Sequence, residues 1–178
     1  PRSRLGAVTR PASPALLDSF QTGWVHDGAA AEAVRKLKYG RSTAVVSALA
    51  DALASAAPPV DLVTWCPASR CRRRERGFDQ SELLARAVAH RIGAPARSTL
   101  IRTDHTPQTT RRRYGRLAGP SLQLRNQLRS GPSVLLIDDV TTTGATLAAA
   151  ARLLRSGGAR AVHGSVVTRA RRRSSGAT

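Results

Sequence analysis

The chain has 178 residues, 41% hydrophobic but only 3% aromatic, enough for one domain with an aliphatic core. Lys and Arg number 29 against 11 Asp and Glu, a net charge of +18, and every cation except Lys36 and Lys38 is Arg. Such a composition excludes a globally disordered chain, two cysteines exclude a disulfide framework, and no apolar run approaches the roughly 18 residues of a membrane-spanning helix.

Residues 1–23, basic and proline-dotted at the start with no apolar leader, read as a flexible lead-in, and the default compartment is the cytoplasm. Ala30, Val34 and Leu37 predict a helix over Asp27–Tyr39, stopped at Gly40. Ser42 caps a second, through Val45, Leu49 and Leu53 to Ala57, ended by Pro58 and Pro59. Val60–Cys66 is a short apolar strand, and Pro67–Phe78 an Arg-rich loop. Asp79, with Glu82 three residues on, opens a helix whose stripe is Leu83, Leu84, Ala87 and Val88, closed by Gly93. Residues 99–102 predict a strand and 103–120 a loop. Ser133–Asp138 is a nearly continuous apolar strand, as in a parallel sheet covered on both faces. A helix over Ala145–Arg155 ends at Gly157 and Gly158, a strand over Ala161–Thr168 follows, and 169–178 is a basic tail.

Alternating strands and helices predict an α/β domain over 24–168: a doubly wound, mostly parallel sheet with helices on both faces. Cys66 and Cys71 read as ordinary reduced thiols. His26, His90, His105 and His163 stand isolated, and none reads as a dedicated general base.

The segment Val134 to Thr146, VLLIDDVTTTGAT, carries the chemistry. An apolar strand delivers two carboxylates, Asp138 and Asp139, to its C-terminal end, where ligands of open α/β sheets bind. The turn that follows leads straight into a helix, so its backbone N–H groups and the helix dipole converge on an anion. Thr141, Thr142, Thr143 and Thr146 add hydroxyls, Gly144 lets the backbone approach without a Cβ in the way, and Ala145 completes the turn. The acids would repel a phosphate but accept hydrogen bonds from vicinal sugar hydroxyls. Together the two halves read as a site for a ribose 5-phosphate unit. The segment lacks the Gly-Lys-Thr/Ser step of a Walker loop and the GxGxxG of a dinucleotide fold.

The same segment closely resembles the motif with which type I phosphoribosyltransferases bind phosphoribosyl pyrophosphate (PRPP). The resemblance implies that fold, Asp138 and Asp139 on the ribose, Thr141 to Thr146 on the 5-phosphate, and Mg²⁺ as cofactor near the two acids. In such enzymes the loop after the first strand binds pyrophosphate. That loop is Pro67, Ala68, Ser69 and Arg70 here, with Arg72, Arg74 and Arg76 able to neutralise the anion. Leu37–Tyr39, Arg72–Ala85 and Thr106–Thr109 further resemble the LKY, RGFNQ-type and TPQT elements of the ComF competence family. The TPQT match implies a lid carrying Thr106, Gln108 and Arg116. Departures within these 178 residues are Ser69 for His, Asp79 for Asn, and Arg111, Gly115 and Gly119 for Leu, Glu and Asn; the family's four-cysteine zinc finger does not fall within those residues. Three functions share this frame: transfer of phosphoribosyl to an acceptor with release of pyrophosphate, non-catalytic DNA handling, and PRPP-sensing regulation. The expected partners are PRPP or ribose 5-phosphate, single-stranded DNA, and a second copy of the chain.

Overall fold

The computed structural model describes residues 16–25, Glu32, Arg35, 43–103 and 121–169. Four parallel strands, β1 (Ser19–Val25), β2 (Leu62–Trp65), β5 (Ser133–Thr141) and β6 (Ala161–Arg169), form a sheet in the order β1-β6-β5-β2. Two short strands, β3 (Leu100–Arg102) and β4 (Leu122–Leu124), pair antiparallel beside it. Four helices are described: α1 (Thr43–Ser55), α2 (Arg70–Arg76), α3 (Gln80–Ile92) and α4 (Ala145–Ser156).

The period of two along β5 sorts its side chains between two cores. Leu135 and Ile137 pack with Val63, Trp65 and Val167 against Leu49, Leu53, Leu84 and Val88 of α1 and α3. Val134 and Leu136 pack on the other face with Leu62, Val162 and Val166 against Leu147, Ala150 and Leu154 of α4. Each fully buried Leu or Ile contributes about 1.5–3 kcal/mol of transfer free energy. Covering both faces this way explains why β5 reads as an unbroken apolar run.

Two expectations need correction. The lead-in does not extend to residue 23, because Ser19–Val25 is a strand paired with β6 from Ser19↔His163 to Val25↔Arg169. Its sequence, with Gln21, Thr22 and Gly23 at the centre, hides this. Gln21 is buried but satisfied, its Nε2 donating to Leu53 O at 3.1 Å and Ser165 Oγ at 3.0 Å. Gly164 makes room for Leu17 and Phe20, since a Cβ there would lie 2.7 Å from Leu17 Cδ1.

Second, the Arg-rich stretch is not all loop: Arg70–Arg76 is a helix. Arg is a good helix former, and Ser69 caps this helix by accepting from the Arg72 amide. Gly77, at φ 76°, closes it in the left-handed region where a side chain would be strained. The helix has no buried residue and so carries no apolar stripe. One strand was not anticipated: β4 lies just beyond the expected loop, with two half-buried leucines in a three-residue strand too short to show a pattern. Most of the helix expected over Asp27–Tyr39 lies outside the described residues, as do the lid residues Thr106, Gln108 and Arg116 and the tail from 170.

Candidate functional site

β2 and β5 are neighbours, yet the chain leaves them in opposite directions. After β2 it enters α2 and α3 on one face, and after β5 it enters α4 on the other. Their C-terminal ends therefore flank a crevice, the switch point of an open α/β sheet. The register carries both strand ends to one level: Trp65 lies opposite Ile137, and the Cys66 amide donates to Ile137 O at 2.9 Å. The crevice is lined by Cys66, Pro67, Ala68, Arg72, Arg76, Gln80, Ser81, Arg102, Asp138, Asp139, Val140 and Thr146.

Asp138 is only 9% exposed. Its Oδ1 accepts from Ser81 Oγ at 3.2 Å and from the Asp139 amide at 2.9 Å. Burial, and next the Asp139 carboxylate, push its carboxyl up to about 8, against the pull of those two donors. Asp139 is half-buried, and its Oδ1 accepts from the Val140 amide at 2.8 Å. The raised Asp138 carboxyl therefore lowers the negative charge that this strand end presents to the crevice near neutral pH in the ligand-free protein. Burial and the carboxylates of Asp138, Asp139 and Asp79 push the Cys66 thiol well above its usual range, so it is no nucleophile.

Beyond β5, Thr141 is buried at the strand end, whereas Thr142, Thr143 and Ala145 are exposed and Thr146 is half-buried. Gly144 caps α4 at φ 79° with no side chain to supply a cap. The Ala145 amide turns onto Thr143 Oγ1 at 3.3 Å. Of the four threonines expected to serve one anion, Thr146 lines the crevice, Thr142 and Thr143 face solvent beside it, and Thr141 is held in the sheet.

On the β2 side, Pro67, Ala68 and Ser69 form the link into α2 and Arg70 opens that helix; of these, Pro67 and Ala68 line the crevice. Asp79, its side chain 1% exposed, latches this side together. It accepts from the amides of Ala68 at 2.8 Å, Ser81 at 3.1 Å and Glu82 at 3.3 Å, and from Arg73 Nη2 at 3.3 Å. Arg72 and Arg76 reach the crevice; Arg70 and Arg74 do not line it. Sequence reasoning missed Gln80, Ser81 and Arg102. Gln80 and Ser81 stand at the start of α3 where they look like ordinary first-turn residues, and only the docking of α3 on β5 turns them toward Asp138. A larger cavity of about 490 Å³ opens at the other end of the strands, beside Asp61 and Pro132. It lacks the strand-end carboxylates, so size does not mark the site.

Residues 79–176, more than half the chain, match the model of the phosphoribosyl transferase domain. The chain belongs to the phosphoribosyltransferase family. Competence protein ComFC of Bacillus subtilis (strain 168) is 38% identical over 89 residues, 49% of this chain and 35% of that protein. DNA utilization protein YhgH of Salmonella typhi is 31% identical over 141 residues, 72% of this chain and 62% of its own. Adenine phosphoribosyltransferase of Mycobacterium sp. (strain KMS) is 38% identical over 128 residues, 67% of this chain and 64% of its own. The ComF resemblance read in the sequence thus recurs among its relatives, and the chain spans between about a third and two thirds of their lengths.

Among phosphoribosyltransferases of known structure, the adenine enzyme from Trypanosoma brucei, in complex with AMP, pyrophosphate and ribose-5-phosphate, superposes with a TM-score of 0.52 at 14% identity. That match covers 93% of this chain and 87% of the other. Glutamine PRPP amidotransferase from B. subtilis, complexed with ADP and GMP, superposes at 0.50 with 23% identity over 75% of this chain and 30% of its own. The type I phosphoribosyltransferase fold, with its mostly parallel sheet between helices, is the one expected from the sequence.

Proposed function

We propose that the crevice between β2 and β5 binds PRPP and that the protein is a ComF-type phosphoribosyltransferase whose acceptor is still to be identified. One observation carries this reading: the switch point joins two adjacent carboxylates to a Thr/Gly turn on one side and to arginines on the other. On this reading Asp138 and Asp139 accept from the ribose hydroxyls, and the turn from Thr141 through Gly144 and Ala145 to Thr146 holds the 5-phosphate. Thr141 would act through its place at the head of the turn, since its side chain is buried. The β2 side then faces the pyrophosphate on C1.

Two carboxylates suit a hard divalent cation but do not complete its shell, and no group of three His, Cys, Asp or Glu gathers among the described residues. Mg²⁺ would thus draw most of its ligands from PRPP oxygens and water, and when bound it would neutralise charge on the leaving group. The protein's own task is to orient the ribose, stabilise the departing anion and limit water. In transfer, the C1–O bond to pyrophosphate breaks and a bond from C1 to an acceptor nitrogen forms. The acceptor's proton passes to solvent or to the departing anion. The test is titration of Mg²⁺-PRPP into the protein, followed by a screen for pyrophosphate release with nucleobases. Saturable binding with release supports the enzyme; no binding at millimolar ligand overturns the reading.

A second reading is DNA handling on the same fold, favoured by the net charge of +18 and by the names of the relatives ComFC and YhgH. It expects single-stranded DNA binding whose log affinity falls with log salt by roughly 0.7 per phosphate contacted. A flat salt response removes it.

A further inference from the structure

The proposed PRPP site leaves open which donors take the pyrophosphate. Loop amides are the expected answer, but the Ala68 amide is already spent on Asp79 Oδ2 at 2.8 Å. What faces the crevice instead is a row of side chains four residues apart: Arg72 and Arg76 on α2, and Gln80 as the first residue of α3. Gly77 lets the chain turn between the two helices while keeping the row on one side.

Gln80 is the informative member. It is 2% exposed, yet it is a polar side chain with one half unused. Its Oε1 accepts from Arg76 Nη1 at 2.9 Å, which sets the carboxamide's orientation, because a flipped amide would put two donors face to face. Its Nε2 is buried and meets no acceptor among the described residues. Buried amide donors are nearly always paired, and one left over on the wall of a ligand crevice points to an acceptor absent from the protein itself. A Leu or Met would fill the same volume without that cost.

We propose that Gln80 is a positioning and selecting residue for the pyrophosphate. Its Nε2 donates to a pyrophosphate oxygen, while Arg72 and Arg76 neutralise the charge. Pyrophosphate offers acceptors only, which matches a row of donors. Ribose hydroxyls, which donate, are matched by Asp138 and Asp139 in the same crevice. The inference rests on the PRPP reading, in which the β2 side already faces the pyrophosphate, and adds one residue to it: Gln80 as a donor beside Arg72 and Arg76.

The test uses Gln80→Met and Gln80→Glu. Calorimetry follows inorganic pyrophosphate, ribose 5-phosphate and Mg²⁺-PRPP on the full chain, and thermal melting reports the fold. Gln80→Met is expected to weaken pyrophosphate and PRPP roughly ten- to a hundredfold, the value of one hydrogen bond to a charged group, and to leave ribose 5-phosphate unchanged. Gln80→Glu, which puts a carboxylate against the anion, should weaken pyrophosphate at least as much. Melting of Gln80→Met should change little, since removal of the unpaired donor offsets loss of the acceptor for Arg76 Nη1. Parallel loss of both ligands, or a lower melting temperature with both affinities retained, would mean that Gln80 only supports Arg76. Wild-type protein that binds neither ligand would instead remove the PRPP reading itself.

Discussion

Asp138 sits where local energetics and ligand chemistry pull in opposite directions. Its carboxyl is buried next to a second acid and pushed up to about 8, whereas an unfolded chain ionises it near 3.8. A carboxyl whose folded value is raised favours folding at low pH and loses that favour as pH rises through the folded value. The metal-free protein should therefore gain stability from Asp138→Asn at pH 8. The gain should shrink as pH falls and vanish near pH 4. The amide keeps an oxygen for Ser81 Oγ and the Asp139 N–H, so only the charge is tested. Melting curves of both proteins from pH 4 to 8 check this, and an Asn variant less stable at every pH would contradict it. The sequence showed two acids at a strand end; it did not show which one burial would perturb, because that depends on the packing of Ser81 and α3 over β5.

Among the elements, α4 and the start of β5 were legible almost to the residue, since a 3.6-residue stripe and an unbroken apolar run leave little choice. β5 runs on to Thr141 because its backbone keeps pairing with β6 after the apolar side chains stop. α2 was not legible. It buries nothing, and its existence depends on the Ser69 cap, the Gly77 stop and its tether to Asp79 through Arg73. Asp79 also explains a departure from the family pattern, because Asp and Asn cap a helix equally well. Asp79→Asn should cost roughly 1–2 kcal/mol: its oxygen still caps Ser81 and Glu82, but an NH2 replaces the oxygen that accepts from the Ala68 amide and Arg73. Asp79→Ala should cost roughly 2–4 kcal/mol, by stripping an N-cap and leaving the Ala68 amide without its acceptor. Denaturant melts of the two variants decide it, and a cost of Asp79→Ala no larger than that of Asp79→Asn would show that Asp79 is not the cap that holds the start of α3. The crevice's β2 wall was only half legible: the arginines were visible, but Gln80 gains its meaning from α3 docking, which no local pattern encodes.

Across the molecule, charge and topology play separate parts. No described helix is long and apolar enough to cross a membrane. The excess of arginine gives the chain a general attraction for polyanions, while the crossover between β2 and β5 decides where a ligand fits. If the account is right, affinity for PRPP resides in the crevice and not in the general positive field. Calorimetry of Mg²⁺-PRPP against wild type and the Asp138→Asn, Asp139→Asn double variant separates the two most directly. The variant raises net positive charge by up to two, so a nonspecific field would bind the ligand as well or better. The structure predicts at least a tenfold loss of affinity, about 1.4 kcal/mol or more, in a variant that melts no lower than wild type. Equal or tighter binding by the double variant would contradict the placement of the ribose on Asp138 and Asp139.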